Sequence, residues 1–147
     1  MTARTTSSGP VIDIFVGVGA KMLDRYAECG LIPPPMVPIR GLVDTGATLS
    51  GISRPILTQL GLSPDGIINV HSSHSGIIAV PKDSFEVCAY IWNPVSQYQV
   101  GSLTVTDYVP TSYEIDALIG WDILRHCDFM YNRDSGAFTL QFRPASS

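Results

Sequence analysis

No run of apolar residues in this chain approaches the roughly 20 that a membrane-crossing helix requires. The opening stretch, MTARTTSSGP, is polar and has no apolar segment behind it, so neither a membrane partner nor a secretory leader is expected. Charge is scarce as well. Charged residues make up 15% of 147, the nine Lys and Arg are scattered, and the net charge is −4, which leaves no basic patch for nucleic acid. Cysteine is rare too. Cys29, Cys88 and Cys127 are three, an odd number without CxxC spacing, which argues against a disulfide scaffold or a thiolate zinc site. They fit the reduced thiols of a cytoplasmic protein.

Apolar and turn-forming residues are abundant. Hydrophobic residues reach 45%, and 13 glycines and 11 prolines punctuate the chain, the pattern of a β-rich fold with short strands and many turns. Mean hydropathy is +0.21, far from the disordered class. A chain of this length buries about 70% of its unfolded surface and makes one domain rather than two. Residues 1–9 are expected to form a flexible tail and residues 10–147 a single domain.

Periodicity predicts a first strand over residues 10–18 and a short helix over 20–29, where Met22, Leu23 and Tyr26 stand at helical spacing. LIPPPMVP at 31–38 cannot be helix, because each Pro fixes φ and drives its predecessor out of the α region. This stretch has the look of an insertion or cover. Strands are expected at 39–43 and 48–52, then a helix at 54–60 with Pro55 in its first turn and Gly61 as its stop. Two hairpins follow, one over 66–80 and one pairing 85–92 with 99–106 across Asn93-Pro94. A buried strand at 115–119, a helix at 121–126 and a closing hairpin around residues 132–136 complete the chain.

The chemistry concentrates in two segments. GLVDTGATLS (41–50) delivers a carboxylate, Asp44, from the end of an apolar strand onto a tight Thr45-Gly46 turn. Gly46 allows close backbone approach, and the Thr45 hydroxyl can brace a neighbouring loop. ALIGWDIL (117–124) is an apolar run, a glycine, then a short amphipathic helix. Either segment alone is common. In this order they are specific, and together they resemble the retropepsin-like aspartic proteases, whose marks are an apolar-Asp-Thr-Gly-Ala turn and a later apolar-Gly-x-Asp/Asn-apolar-Leu segment. ISRPILTQLGL after the first motif has the same look. Retroviral members usually carry Arg where this chain has Trp121, so the resemblance is nearer to cellular, bacterial and retroelement members.

The resemblance implies a mostly β, closed barrel-like half-lobe with one or two short helices, working as a homodimer on a peptide or protein substrate. Asp44 would be the one catalytic carboxylate per subunit, supported by Thr45, Gly46, Ala47 and Gly120. The hairpin tip, with Ser73, His74, Ser75 and Gly76, would cover extended, largely apolar substrate as a flap. No cofactor is implied. A non-catalytic peptide-binding or dimerisation module that kept the fold is the alternative.

Other candidates read more simply. Asp134-Ser135-Gly136 spells a second D-S-G, but polar Asn132 and Arg133 precede it, so it is expected to be a hairpin turn. His71 and His74 have HxxH spacing without a carboxylate or thiol ligand close in sequence, and no metal site is assigned. His126-Cys127 lacks a third, orienting group. Asp122 is given a structural role. The closing strand at 137–142 places Phe138, Leu140 and Phe142 on one face, and its edge is expected to pair with a second copy across the dimer axis.

Overall fold

Strand β2 (Gly9–Val18) is the trunk on which the domain is built: Ile12, Ile14, Val16 and Val18 are each buried to within a few per cent of completely. The computed structural model describes residues 2–6, 9–70, 78–94, 96–110 and 112–144. Helix α1 (Ala20–Glu28) follows, then β3 (Val37–Val43), β4 (Gly51–Ser53), α2 (Arg54–Gln59), β5 (Gly66–Val70), β6 (Val80–Trp92) and β7 (Gln97–Tyr108). The chain ends through β8 (Ala117–Ile119), α3 (Trp121–Leu124), β9 (Cys127–Tyr131) and β10 (Ala137–Phe142), and β1 (Thr2–Thr6) precedes the trunk.

Six of these strands close on themselves. β6, β7, β4, β8, β3 and β2 are hydrogen-bonded in that order, and β2 pairs antiparallel with β6 through Phe15–Tyr90 to Val18–Val87, which seals the ring. Phe85, Val87, Ala89, Ile91, Val105 and Ile119 fill its interior. The fold is therefore the mostly β, closed half-lobe that the motifs predict. β6 is long because it pairs β5 at its start and β7 along most of its length; the partner of β5 is residues 80–84, later in the chain than the hairpin expected over 66–80. Three helices flank the barrel among the described residues, and none is long and apolar enough to cross a membrane.

The two longer helices stop where their glycines stand. Gly30 (φ +66°) accompanies bonds from its own N–H to Ala27 O and from Leu31 N–H to Tyr26 O, and Gly61 (φ +71°) repeats the arrangement with Thr58 and Leu57. A left-handed residue after the last turn satisfies carbonyls the helix leaves open. α1 and the proline segment cover one side of the barrel, with Met22 and Tyr26 packed on the core. The start of α1 is fixed by a carboxylate from the barrel: Lys21 N–H donates to Glu86 Oε1 at 2.9 Å.

Two expectations are corrected. Residues 2–6 are not a tail; they form β1, whose backbone pairs with β10 (Thr2–Thr139 to Arg4–Ala137) and with the start of β2. Reading for apolar burial missed this, because a strand added to an edge is held by main-chain hydrogen bonds that any residue supplies. In consequence β10 offers no open edge for a second copy. β9 occupies one side, β1 covers residues 137–139 on the other, and beyond them Asn93 Nδ2 donates to Leu140 O while Phe142 N–H donates to Ser96 Oγ. The exposed edge passes to β9, with Met130 and Tyr131 largely solvent-accessible. Phe138, Leu140 and Phe142 do share one face, and it is buried. Asp134-Ser135-Gly136 lies in the turn between β9 and β10, where Asn132 Oδ1 accepts from Asp134 and Ser135 N–H.

The cysteines differ in setting. Cys29 is exposed, Cys88 is half-buried with its thiol pushed up by burial, and burial together with Asp128 pushes the Cys127 thiol up to about 11. Since the thiolate is the nucleophile, iodoacetamide at pH 8 should alkylate Cys29 first and Cys127 last in the folded protein, as peptide mass mapping over time would record. Early loss of Cys127 would contradict this packing.

Candidate active site

Asp44 stands where strand β3 ends, and a strand from the far end of the chain holds it there. β8 inserts between β3 and β4, running parallel to β3 (Gly41–Ala117, Leu42–Leu118, Val43–Ile119) and antiparallel to β4. The ladder continues one step beyond Val43, where Asp44 N–H donates to Ile119 O at 3.0 Å. Apolar Leu42-Val43 and Leu118-Ile119 are needed here because this strand pair passes through the barrel wall, with Val43 and Ile119 both buried. The two sequence motifs are thus adjacent strands in space.

The turn itself is tied at several points. Asp44 Oδ1 accepts from Gly46 N–H at 2.9 Å, and Asp44 O accepts from Ala47 N–H at 3.2 Å. A Cβ on Gly46 would lie 3.2 Å from Asp44 Oδ1, so glycine lets the peptide close on the carboxylate. Thr45 takes part through its carbonyl, which accepts from Trp121 Nε1 at 2.6 Å. Its hydroxyl, expected to brace a loop, makes no hydrogen bond among the described residues. Asp44 is half-buried, and Thr45 and Gly46 are exposed.

Beneath the turn, the loop after Asp44 packs backbone to backbone on Gly120. A methyl group at Gly120 would meet Ala47 O at 2.8 Å and the carbonyl of Leu49 at 2.9 Å, distances no real Cβ tolerates. Trp121 N–H donates to Ala47 O at 2.9 Å and Asp122 N–H to Thr48 O at 3.3 Å. Ser50 then locks the two segments. Its Oγ donates to Asp122 Oδ1 at 2.7 Å and accepts from Gly120 N–H at 3.0 Å, while its own N–H donates to Asp122 Oδ2 at 2.9 Å. Ile123 N–H donates to Asp122 Oδ1 as well, so this buried carboxylate receives three hydrogen bonds.

Asp44, Thr45, Gly46, Ala47 and Gly120 therefore form one cluster. Sequence reasoning missed Ser50, which stood inside the strand expected at 48–52; the available signal was a hydroxyl within a strand, which must find a partner once it is buried. Ser73, His74, Ser75 and Gly76, the expected flap, lie outside the described residues, as does His71. Among the described residues no grouping of three or more His, Cys, Asp or Glu is placed to hold a metal ion. Among the described residues, a groove at the β9–β10 turn and one of about 450 Å³ beneath Pro33, Pro34 and Pro35 are lined by neither Asp44 nor its turn.

This closed six-stranded barrel, with a strand from the second motif inserted beside the Asp-Thr-Gly turn, is a retropepsin-like half-lobe. Among solved structures it is similar to a retropepsin-like aspartic protease from Rickettsia conorii, with a TM-score of 0.59 and 14% identity over 97% of this chain and 89% of that one. At that identity the likeness is one of fold. No family model and no curated protein matches the chain.

The Ser50–Asp122 lock generates a prediction. Replacing Ser50 by Ala removes a hydroxyl bonded to a buried carboxylate and should lower stability by about 2 kcal/mol. Gly120→Ala forces backbone apart and should cost at least about as much. Urea unfolding of both variants checks this; a Ser50→Ala protein as stable as wild type would refute the lock.

Proposed function

We propose that the chain is one half of an aspartic endopeptidase, and that the site is completed when two copies bring their Asp44 carboxylates together across a two-fold axis. The observation that carries this reading is Asp44 itself. It is a half-buried carboxylate at the end of a barrel strand, on a turn braced from several sides. A turn held so firmly around one half-buried acid is well suited to meeting its own copy.

The chemistry follows from two carboxylates at close range. Both cannot ionise cheaply, so the pair holds one proton between them. The charged member takes a proton from a water molecule, and the water oxygen attacks the scissile carbonyl carbon. The protonated member gives its proton to the carbonyl oxygen, which stabilises the tetrahedral intermediate. Collapse of that intermediate breaks the C–N bond as the leaving amine is protonated. No cofactor is required, and the roles of the two copies are interchangeable because the titration belongs to the pair. Extended, largely apolar peptide is the substrate class.

Asp44→Asn keeps the size and removes the charge, so the folded variant should lose peptidase activity on mixed peptides by at least about a thousandfold. Wild-type activity should peak at acidic to mildly acidic pH, where one carboxylate is charged and the other neutral. Substantial turnover by a folded Asp44→Asn protein, or a rate still climbing from pH 7 to 9, would defeat the assignment. Complete inactivity of a wild type shown to be dimeric would favour a non-catalytic binding module.

Dimer dependence gives a second test. With one carboxylate per chain a monomer lacks half the machinery, so specific activity should fall on dilution in step with the dimer fraction measured by sedimentation. A monomer cleaving peptides at undiminished specific activity would overturn the mechanism.

A further inference from the structure

Trp121 is a large apolar side chain left 48% exposed, directly beside the turn that carries Asp44. It is nevertheless anchored. Its indole Nε1–H reaches the Thr45 carbonyl oxygen at 2.6 Å, short for an N–H···O bond, while its backbone N–H holds Ala47 O at 2.9 Å. One residue therefore grips two carbonyls of the turn, one from below through the main chain and one through its side chain. The far side of Trp121 is held in turn: its carbonyl accepts from Arg125 N–H at 3.0 Å and from Arg125 Nε at 3.2 Å.

The peptide between Thr45 and Gly46 links this grip to the carboxylate. Its oxygen is the acceptor for the indole, and its N–H is the donor to Asp44 Oδ1 at 2.9 Å. The peptide is planar, so fixing the oxygen fixes the direction of the N–H. A donor on the carbonyl also polarises the amide and strengthens the bond its N–H makes at the other end. Without the indole this peptide, exposed and next to a glycine, has much freedom to rotate away from Asp44.

We propose that Trp121 is a positioning residue for Asp44, acting through the Thr45–Gly46 peptide: the indole sets the orientation of the amide that orients the carboxylate. The assignment rests on the peptidase reading for its catalytic consequence but not for its structural one. Because the grip is an uncharged hydrogen bond within one chain, it exists before any second copy arrives.

Trp121→Phe keeps an aromatic ring and deletes the donor. In the ¹⁵N-labelled protein the Trp121 indole N–H should exchange about tenfold more slowly than that of Trp92, the more exposed of the two tryptophans, equivalent to a hydrogen bond of about 1.4 kcal/mol. In Trp121→Phe the Gly46 amide resonance should shift and its exchange should accelerate while the unfolding midpoint stays near that of wild type. With peptide substrate, kcat should fall about tenfold or more and KM should stay within about twofold, the mark of a misplaced group rather than lost binding. A Gly46 amide unchanged by the substitution, or an unchanged kcat, would overturn the proposal. If the wild type shows no peptidase activity, the peptidase reading fails, and the indole and Gly46 amide measurements still decide whether Trp121 holds the turn.

Discussion

The backbone at Gly120 and the backbone of residues 47–49 approach so closely that a single methyl group would force them apart, and much of this molecule is arranged around that contact. Two segments some seventy residues apart in the chain must meet without side chains between them. Close backbone approach exposes many amides and carbonyls to each other, and each must be paired once water is excluded. Trp121 and Asp122 N–H serve Ala47 O and Thr48 O, and Ser50 bonds both Gly120 N–H and the Asp122 carboxylate. A buried carboxylate is costly unless its oxygens are filled, and here three donors fill them.

This contact sits on a rigid base. β8 lies between β3 and β4, and those strands belong to a ring closed by the pairing of β2 with β6. A closed barrel has no loose edge along which register can slip, so the end of β3 is held in place by the whole circuit. Asp44 inherits that rigidity through its bond to Ile119 O. The remaining freedom is in the exposed peptide between Thr45 and Gly46, and there the indole of Trp121 and the Asp44 carboxylate take opposite ends of the same amide.

Fold and chemistry stand at different distances from these observations. The likeness to a solved retropepsin-like aspartic protease covers nearly the whole chain but is one of architecture, at 14% identity. Architecture alone does not carry activity. The proposed peptide hydrolysis requires a second carboxylate within hydrogen-bond reach of Asp44. The intrachain pairing of β10 bears on the proposed dimer. With its edges occupied by β9, β1, Asn93 and Ser96, the closing strand stabilises its own chain, and in the proposed dimer the two-fold contact would be made by other surface.

Much of this was legible in the sequence because the physics involved is local. Alternating apolar residues in β2 and at Phe138, Leu140 and Phe142 mark faces that the barrel buries. Pro55, Gly30 and Gly61 mark helix limits because φ is restricted or released at single residues. LVDTG and LIG announce strand ends on which a carboxylate and a backbone approach can be built. Tertiary structure alone decided the rest. That residues 2–6 form a strand follows from an available edge on β10, which their own side chains do not encode. The partnership of Ser50 with Asp122 and of Trp121 with Thr45 joins residues more than seventy apart, and a hydrogen-bond donor's identity says nothing about which distant acceptor the closed barrel will bring to it.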